Sequence, residues 1–489
     1  MKDGLLTFIG YIIFTFYTCG IMIGGVLLEK KTKLDPTISR KLTHLASGFV
    51  WVICYCFFGC SLHWVVLNIV GAALLGFTTL NDRFSAFGRD DSDKSLGMFY
   101  FSLSTAIVAI ACYFFNKELY LYTGIAYYCL SLGDGLAPIT ARIAGKRNVE
   151  IRPSKSLVGT LTVFTVSFLA TLVFSSIFDL GLSIPFIASV AALTTITEFY
   201  GFKGTDNLFI EFFVFGYLVL YHYSLVTPAL VTVMILSPLL AILAVGSNAM
   251  TADGGISAFF LFAIVGFFSY DFVPITFIAI LFLISTAVSV IGKKLEKRNG
   301  CKPEEHKSRR AKQIIAVGLF SVIALMLYRI TDVEVFYHIY FLALIEQMAD
   351  SIASDIGRLT TKKNVNIITF KPIEKGISGG ISALGTISAL IGSIVLAAIP
   401  LAFGAISPII FVFIALFAFL GTLIDSIAGA LLQSLYECVS CKSLIETPYH
   451  CGERTRLIKG FKLIDNVAVN YIASFCTSLI GALLIFIGD

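Results

Sequence analysis

Apolar runs of about 16 to 23 residues recur along the whole sequence and are separated by short polar loops. A helix of that length can cross the hydrocarbon core of a bilayer. We count about sixteen such runs, so the pattern predicts an all-α, polytopic integral membrane protein with about 16 transmembrane helices. The first run, near 6–28, lacks a basic leader and a small-residue cleavage site. We therefore expect it to be a membrane helix and not a removed signal peptide.

The composition and the placement of charge agree with this prediction. Of the 489 residues, 57% are hydrophobic and 14% are charged, against about 25% charged residues in soluble proteins. Basic clusters fall near 30–41, 142–155, 293–312, 358–375 and 442–462. The predicted spans put all five clusters on one face, which the positive-inside rule assigns to the cytoplasm. We expect a multi-pass protein in the lipid bilayer with these basic loops on the cytoplasmic face and no nucleic-acid partner; the oligomeric state stays open.

One short phrase occurs twice, about half a chain apart. Gly201-Phe202-Lys203-x-x-Asp206-Asn207 is matched by Gly460-Phe461-Lys462-x-x-Asp465-Asn466. Each copy follows an acidic residue on an apolar helix, Asp134 or Asp350. Each also follows a lysine just ahead of a run of small residues, Lys155 or Lys375. The repeat predicts two related halves, 1–225 and 226–489, each with its own polar site.

In the first half the acidic residue is Asp134, which ends an apolar helix between two glycines, and the lysine is Lys155. A carboxylate at the membrane edge is costly and usually functional. Lys155 and Ser156 begin the next span, where helix N-terminal amides attract phosphate. We expect Mg²⁺ against phosphate oxygens, with Lys155 offsetting their charge; taken alone, Lys155 would be an ordinary interfacial anchor. The candidate Mg²⁺ ligands are Asp134, Glu198 and Asp206, with Asn207 orienting the bound groups. A Walker A spacing is absent from the sequence.

This half resembles the CTP-dependent polyprenol kinase family, which includes phytol kinase and dolichol kinase. The matching phrases are Arg40-Lys41-Leu42-Thr43-His44, Gly133-Asp134-Gly135, Lys155-Ser156-Leu157-Val158-Gly159-Thr160, Glu198-Phe199 and Asp206-Asn207. Thr140-Ala141-Arg142 departs from the family, which usually has glycine before this arginine. The resemblance implies transfer of a phosphoryl group from CTP, or another NTP, to a long-chain prenol. It adds as candidate nucleotide- or phosphate-binding residues Arg40, Lys41, Gly135, Arg142, Ser156 and Gly159. From the residues alone, without the family resemblance, Arg40 and Lys41 would be interpreted as positive-inside anchors and His44 as a packing residue.

In the second half, carboxylates and hydroxyls alternate on one helix end. Asp350 and Ser354 stand four residues apart, as do Ser351 and Asp355, so each pair shares a helix face. Such a group suits a hard cation or phosphate. Gly376, Gly379 and Gly380, which follow in the sequence, could cradle phosphate or could allow membrane helices to pack closely. The candidate metal ligands are Asp350, Asp355, Asp425 and Asp465, and the candidate phosphate-binding residues are Ser351, Ser354, Lys371, Lys375, Gly376, Gly379, Gly380 and Asn466.

The second half resembles the phytyl-phosphate kinase family, which is related to transmembrane-protein-19-like proteins. The carrying phrases are Ala349-Asp350-Ser351-x-x-Ser354-Asp355-x-Gly357, Gly379-Gly380 to Gly385-Thr386, Asp425-Ser426-x-x-Gly429-Ala430-x-x-Gln433, His450-Cys451-Gly452, and Asp465-Asn466 with Asn470. Val317 departs from the asparagine that is usual in the family. The resemblance implies phosphorylation of a prenyl monophosphate to the diphosphate.

Cys438-x-x-Cys441 and His450-Cys451 have ligand types and spacing suited to a structural Zn²⁺. The alternative is a set of reduced cysteines without a metal.

These observations predict a fused, two-step kinase that uses CTP or another NTP with Mg²⁺. Its active sites are expected on the cytoplasmic face, because the acid, lysine and Asp-Asn elements lie in or beside the basic loops. The first half would phosphorylate a prenol such as phytol, geranylgeraniol or farnesol, and the second half would phosphorylate the resulting prenyl phosphate. Catalysis is assigned to Asp134, Lys155, Asp206, Asp350, Asp355 and Lys375. The alternatives are a CTP-dependent lipid-phosphate cytidylyltransferase, a lipid-phosphate transporter or flippase, and a protein in which one half is only a structural partner.

Overall fold

The computed structural model describes residues 2–31, 36–80, 97–145, 148–152, 155–201, 204–247, 249–298, 310–357, 364–374 and 377–488. These residues form two compact units, Met1–Gly246 and Ser247–Asp489. The division falls one helix after the boundary at 225/226 expected from the sequence. The last helix of the first unit, Pro228–Gly246, packs on the helix Ile184–Tyr200, where the Tyr200 hydroxyl donates a hydrogen bond of 3.3 Å to the Ala241 carbonyl.

The fold is helical throughout, with short strands confined to the loops. The helices of the first unit are α1 Lys2–Lys31, α2 Pro36–Phe57, α3 Leu62–Leu80, α4 Gly97–Phe115, α5 Tyr120–Tyr128, α6 Gly135–Ala144, α7 Leu157–Ile177, α8 Ile184–Tyr200, α9 Asp206–His222 and α10 Pro228–Gly246. The strands β1 Glu150–Arg152 and β2 Lys155–Ser156 form an antiparallel hairpin before α7.

The second unit adds seven helices and three small sheets among its described residues. The helices are α11 Ala252–Phe268, α12 Val273–Arg298, α13 Ala311–Thr331, α14 Glu334–Gly357, α15 Ala383–Ala402, α16 Pro408–Leu432 and α17 Asn466–Gly488. The strands are β3 Asn364–Asn366, β4 Pro372–Ile373, β5 Gly380–Ile381, β6 Leu435–Glu437, β7 Leu444–Ile445, β8 Tyr449–His450, β9 Glu453–Arg454 and β10 Arg456–Lys459. All pairings are antiparallel, in the orders β4-β3-β5, β10-β6-β7 and β8-β9.

The prediction of an all-α integral membrane protein is confirmed, but the count of about sixteen spans is not. Within the described residues, eight helices are long and apolar enough to cross a membrane. Five further apolar helices are shorter, at Lys41–Phe57, Leu62–Gly76, Ile184–Tyr200, Ala252–Phe268 and Val273–Ala287. The outward faces are apolar, as lipid requires: on α15, Ile387, Ile391 and Val395 are more than half exposed, while Ser393 is buried.

The centre of the first unit is the segment that joins α5 to α6. Residues Cys129–Asp134 form a π-helical turn, a wide turn that often marks functional sites. Trp51 on α2 holds the helix that leads into this turn, because its indole nitrogen donates a 3.0 Å hydrogen bond to Thr123 on α5. Gly135 lets α2 approach closely: a Cβ there would lie 2.7 Å from a methyl carbon of Leu45. The result is a tightly held turn that ends at Asp134.

The two units share one local packing arrangement. Ser156 and Ser382 cap α7 and α15 by accepting hydrogen bonds from the backbone N–H of Gly159 and Gly385. A Cβ on these glycines would lie 3.5 Å from the carbonyl oxygen of Ala137 and 3.2 Å from that of Ala353, respectively.

Both alanines stand three residues after an acid, Asp134 or Asp350. The two acids therefore occupy equivalent positions relative to the capped helix that follows.

Candidate active sites

Three carboxylates from three different elements converge in the first unit. Asp134 ends the π-helical turn, Glu198 lies in the last turn of α8 and Asp206 begins α9. Each contributes one oxygen atom, and these atoms all lie within 4.8 Å of one another. Asp134 and Glu198 are buried, with 2% and 6% of their surface exposed. Because like charges this close repel in a poorly solvated site, the cluster needs cations to remain ionised.

Two lysines supply part of that positive charge. Lys41 Nζ lies 2.5 Å from Asp134 Oδ2. Lys155 Nζ lies 2.5 Å from Glu198 Oε1, 2.6 Å from the Glu198 carbonyl oxygen and 4.0 Å from Asp206 Oδ2. Burial disfavours the ammonium of Lys155, but Glu198 and Asp206 outweigh it and raise the pKa of Lys155 above its usual value of 10.5. Lys155 therefore carries a full positive charge at neutral pH.

His44 also belongs to this group, although the sequence favoured a packing role for it. It lies one helical turn after Lys41 on α2, and its Nδ1 is 3.3 Å from Asp134 Oδ2. Its Nε2 is buried and has no hydrogen-bond partner among the described residues. The signal available in the sequence was the spacing of Lys41 and His44, because residues three apart face the same side of a helix.

The remaining first-half candidates lie in varied surroundings. The Ser156 hydroxyl caps α7, and Gly159 and Gly135 allow close helix packing. Asn207 donates a 2.9 Å hydrogen bond to the Gly97 carbonyl and so ties α9 to α4. Arg142 is exposed near the end of α6. Arg40 lies on α2, but its side chain is outside the described part of the chain.

The second unit contains a cavity of about 740 Å³ with a polar end and an apolar side. This volume is in the range of ligand-binding pockets. The polar end comes from α14, the loop before α15, α16 and α17, and the apolar side comes from α11, α12 and α13. Candidate residues that line it are Asp350, Ser351, Ser354, Asp355, Gly379, Gly380, Asp425 and Asn466. The cavity therefore has separate polar and apolar parts, as an amphiphilic molecule does.

Asp350 and Asp425 lie beside a further acid, Glu346, which the sequence reasoning missed. Glu346 is fully buried one turn before Asp350, and its Oε2 accepts a 3.0 Å hydrogen bond from Gln347. The Asn470 side-chain nitrogen reaches Asp425 Oδ2 at 3.1 Å when its amide is oriented to satisfy its neighbours. Among the described residues, no lysine or arginine pairs with Asp350 or Asp425. A cation is therefore needed for these acids to be charged together.

The glycine-containing loop before α15 is held by two specific contacts. Gly379 has a φ of +81°, and a Cβ there would clash with the Cβ of Ala430 on α16. The backbone N–H of Ser378 donates a 2.7 Å hydrogen bond to Glu446. Lys375 and Gly376 lie outside the described residues. Lys371 is exposed beside β4, where its carbonyl accepts a 2.9 Å hydrogen bond from Asn366.

The two members of the second Asp-Asn pair have different surroundings. Asp465 is exposed, and its carboxylate accepts a 2.9 Å hydrogen bond from the Ala468 backbone N–H at the start of α17. It is not among the residues that line the cavity, whereas Asn466 is. In the described structure Asp465 thus caps the start of α17. Among the described residues it is not grouped with other potential metal ligands, so its metal role stays a prediction.

The four candidate zinc ligands come together in the loop between α16 and α17. Sγ of Cys438, Cys441 and Cys451 and a ring nitrogen of His450 all lie within 4.8 Å of one another. Backbone hydrogen bonds around the turn lower the pKa of Cys438, and hydrogen bonds from Ser443 lower the pKa of Cys441. Both thiols are therefore shifted toward the thiolate form, which binds metals.

The donor atoms in the first unit also fit the predicted Mg²⁺. Asp134, Glu198 and Asp206 offer carboxylate oxygens, the ligands that Mg²⁺ takes together with water and substrate phosphates. Three carboxylates face two ammonium groups, so the cluster retains negative charge for a cation. In the second unit, Asp350 and Asp425 offer the same donor type.

Comparisons with known proteins agree with an integral membrane protein. Residues 235–478 match the family described as integral membrane protein DUF92. Protein PGR of Arabidopsis thaliana is 25% identical over 276 residues, covering 51% of this chain and 94% of that relative. Phytol kinase of Synechocystis is 26% identical over 197 residues, covering 39% and 82%. Farnesol kinase, chloroplastic, of Arabidopsis thaliana is 29% identical over 159 residues, covering 30% and 50%. No solved structure shows a significant match.

Proposed function

We propose that the protein is a membrane kinase that phosphorylates a long-chain isoprenoid alcohol in its first unit and the resulting prenyl monophosphate in its second unit. The phosphoryl donor is CTP or another NTP bound with Mg²⁺. The observation that carries the proposal is the cluster of Asp134, Glu198 and Asp206 with Lys41 and Lys155, because it brings carboxylates of a type that can bind Mg²⁺ together with two ammonium groups.

The relatives support the reaction class. Two of them are named as kinases of isoprenoid alcohols, phytol and farnesol. Their alcohol substrates dissolve in the bilayer, where the chain lies. The phrases around Lys41, Asp134 and Lys155 that resemble polyprenol kinases are the ones that contribute to the carboxylate cluster. The reaction class and the geometry thus favour the same residues.

The cavity of the second unit supports an amphiphilic substrate for the second step. Its polar end, with Asp350 and Asp425, suits a phosphate bound through a cation. Its apolar side, with Leu261 and Phe282 among others, suits a prenyl chain. A prenyl monophosphate has both parts in one molecule. Because it is anchored in the bilayer by its chain, it can move laterally between the units without entering water.

In the first step the prenol oxygen forms a bond to the γ-phosphorus, and the bond from that phosphorus to the bridging oxygen of the β-phosphate breaks. The nucleoside diphosphate leaves, and the hydroxyl proton passes to a carboxylate of the site. Bound Mg²⁺ would neutralise the triphosphate oxygens. Lys155 would offset the charge that develops on the transferred group, and Lys41 would hold Asp134 in place. In the second step a phosphate oxygen of the prenyl monophosphate is the nucleophile.

The proposal is tested by supplying the purified full-length protein with Mg²⁺, CTP labelled in either the α or the γ position, and phytol, geranylgeraniol or farnesol. We expect γ label, and no α label, in a lipid monophosphate and then in a diphosphate, identified by mass spectrometry. Transfer of α label to the lipid would contradict the kinase and identify a cytidylyltransferase. Movement of lipid phosphate across liposomes without any phosphorylated product would contradict it in favour of a transporter.

A further inference from the structure

Two short hairpins carry three cysteines and a histidine at their turns. Cys438 directly follows β6, and Cys441 lies in the turn that leads to β7. His450 ends β8, and Cys451 lies in the turn that leads to β9. Each hairpin therefore contributes two side chains that can bind a metal. None of them belongs to the carboxylate cluster or lines the cavity.

The backbone of each turn directs both of its ligands to the same place. In the first turn, the Cys438 N–H donates to the Ser443 carbonyl and the Lys442 N–H donates to the Cys438 carbonyl, both at 3.0 Å. In the second turn, Cys451 and Gly452 have φ values of +50° and +79°. A non-glycine residue rarely adopts a positive φ unless its surroundings fix it. Both turns thus hold their side chains in defined positions.

The distances between the ligand atoms match a tetrahedral metal site. His450 Nδ1 lies 3.4 Å from Cys441 Sγ and 3.2 Å from Cys451 Sγ. Zinc bonds of about 2.3 Å to sulfur and about 2.0 Å to nitrogen, at tetrahedral angles, separate neighbouring ligands by about 3.5 Å. Hydrogen bonds explain the cluster less well, because Nδ1 has at most one lone pair to share between two thiols.

We propose that Cys438, Cys441, His450 and Cys451 bind one Zn²⁺ ion in a structural Cys₃His site. Four protein ligands close the coordination sphere, which is typical of a structural and not a catalytic zinc. The segment around them has little apolar core: all four residues of β10 are exposed, and so are Cys441 and Cys451. A metal supplies the folding free energy that such a segment cannot obtain from hydrophobic burial.

The site also positions one wall of the cavity in the second unit. Strand β7 leaves the first cysteine hairpin and continues into Glu446 and Thr447, which line the cavity. Glu446 in turn accepts the hydrogen bond from Ser378 in the loop before α15. Loss of the metal is therefore expected to loosen this wall. The metal site itself does not depend on the kinase proposal.

The first test measures metal content in the full-length protein, purified in detergent without chelator, by inductively coupled plasma mass spectrometry. We expect about one zinc per chain, and a decrease of about tenfold or more in Cys441→Ser and Cys451→Ser. Cys476→Ser, which changes a cysteine of α17 outside the cluster, is the matched control and should retain the metal. Absence of zinc from the unsubstituted protein, or equal zinc in all variants, would overturn the proposal.

A second measurement uses the unsubstituted protein, so that misfolding of a variant cannot obscure the result. Zinc is exchanged for Co²⁺, and the absorption spectrum is recorded. Tetrahedral coordination by three thiolates predicts strong visible bands together with thiolate-to-cobalt charge transfer. A weak octahedral spectrum, or a disulfide between Cys438 and Cys441 found by alkylation and mass spectrometry of the native protein, would contradict the site.

Discussion

Lys41 Nζ and Asp134 Oδ2 lie 2.5 Å apart, although 93 residues separate them in the sequence. The side chain of Lys41 is 14% exposed and that of Asp134 is 3% exposed, so the ion pair is largely removed from water. Lys155, the lysine that the sequence linked to Asp134, instead pairs with Glu198. Each lysine therefore neutralises a different carboxylate of one cluster.

We predict that Lys41→Ala destabilises the protein more than the double variant Lys41→Ala/Asp134→Asn. The single change leaves a buried carboxylate without its ammonium, and breaking a buried pair from one side costs about 3–5 kcal/mol. Asp134→Asn removes the uncompensated charge, so the double variant should recover part of that loss. The measurement is the Tm of each detergent-purified protein in a double-mutant comparison.

Lys117→Ala is the control for this comparison, because Lys117 is an exposed lysine of the same unit. It should change the Tm little, alone or combined with Asp134→Asn. If the Tm changes of Lys41→Ala and Asp134→Asn simply add, the two side chains do not interact energetically.

The membership of the first cluster could be predicted from the sequence to a large extent. Asp134, Glu198 and Asp206 were all named as ligands, and the structure brings their oxygens within 4.8 Å; their metal role stays a prediction. The pairing of Lys41 with Asp134 could not be predicted. It depends on how α2 packs against the π-helical turn, and the pattern of apolar residues does not specify which membrane helices are neighbours.

The number of spans was harder to predict for a related reason. Hydropathy identifies helices that avoid water, but it does not separate contact with lipid from contact with other helices. In α14, Ile339 to Ala349 are almost entirely buried in protein, and the same helix carries Glu346 and Asp350. Burial of Glu346 was missed because a single acid in an apolar run has no periodic signal. Its site appears only when α14 is packed against α16 and α17.

We predict that Asp134→Asn and Asp350→Asn stop the reaction at different products. With a prenol as substrate, Asp134→Asn should reduce monophosphate formation about a hundredfold or more, because it removes a proposed ligand of the Mg²⁺ that would stabilise the charged transition state. The same variant should still convert added prenyl monophosphate to the diphosphate. Asp350→Asn should instead accumulate the monophosphate. Products are measured by mass spectrometry after timed incubation with CTP and Mg²⁺.

Matched controls for these two variants are Asp179→Asn and Asp332→Asn. Both aspartates are exposed and have positive φ values, 51° and 58°, which asparagine also tolerates. Neither control should alter either step. If Asp134→Asn and Asp350→Asn abolish the same step, the assignment of one reaction to each unit is wrong.

We predict that Gly379→Ala slows the second step about tenfold and leaves the first step unchanged. Alanine at a φ of +81° is strained by about 1–3 kcal/mol, and its Cβ would also press against Ala430. The loop would have to move away from α16 and from the cavity that it lines. Gly404→Ala is the control, because Gly404 has a φ of +69° but an added Cβ would meet no described atom within 4 Å. Equal effects of both changes on the second step would show that backbone strain alone is responsible.

We predict that Lys155 does not produce the alkaline limb of the pH–activity profile of the first step. Its pKa is raised above 10.5, because Glu198 and Asp206 favour the ammonium more than burial disfavours it. Because the pKa is raised, the ammonium of Lys155 is fully charged below the usual lysine pKa of 10.5. It loses its charge only as the pH rises through the higher pKa of the folded protein. Arginine cannot lose its proton in this range. We expect Lys155→Arg to differ in rate only, so its limb between about pH 7 and about pH 9.5 should superimpose on that of the unsubstituted protein after scaling. Disappearance of the limb in Lys155→Arg would show that Lys155 titrates there, and that the carboxylates do not hold its proton as the geometry requires.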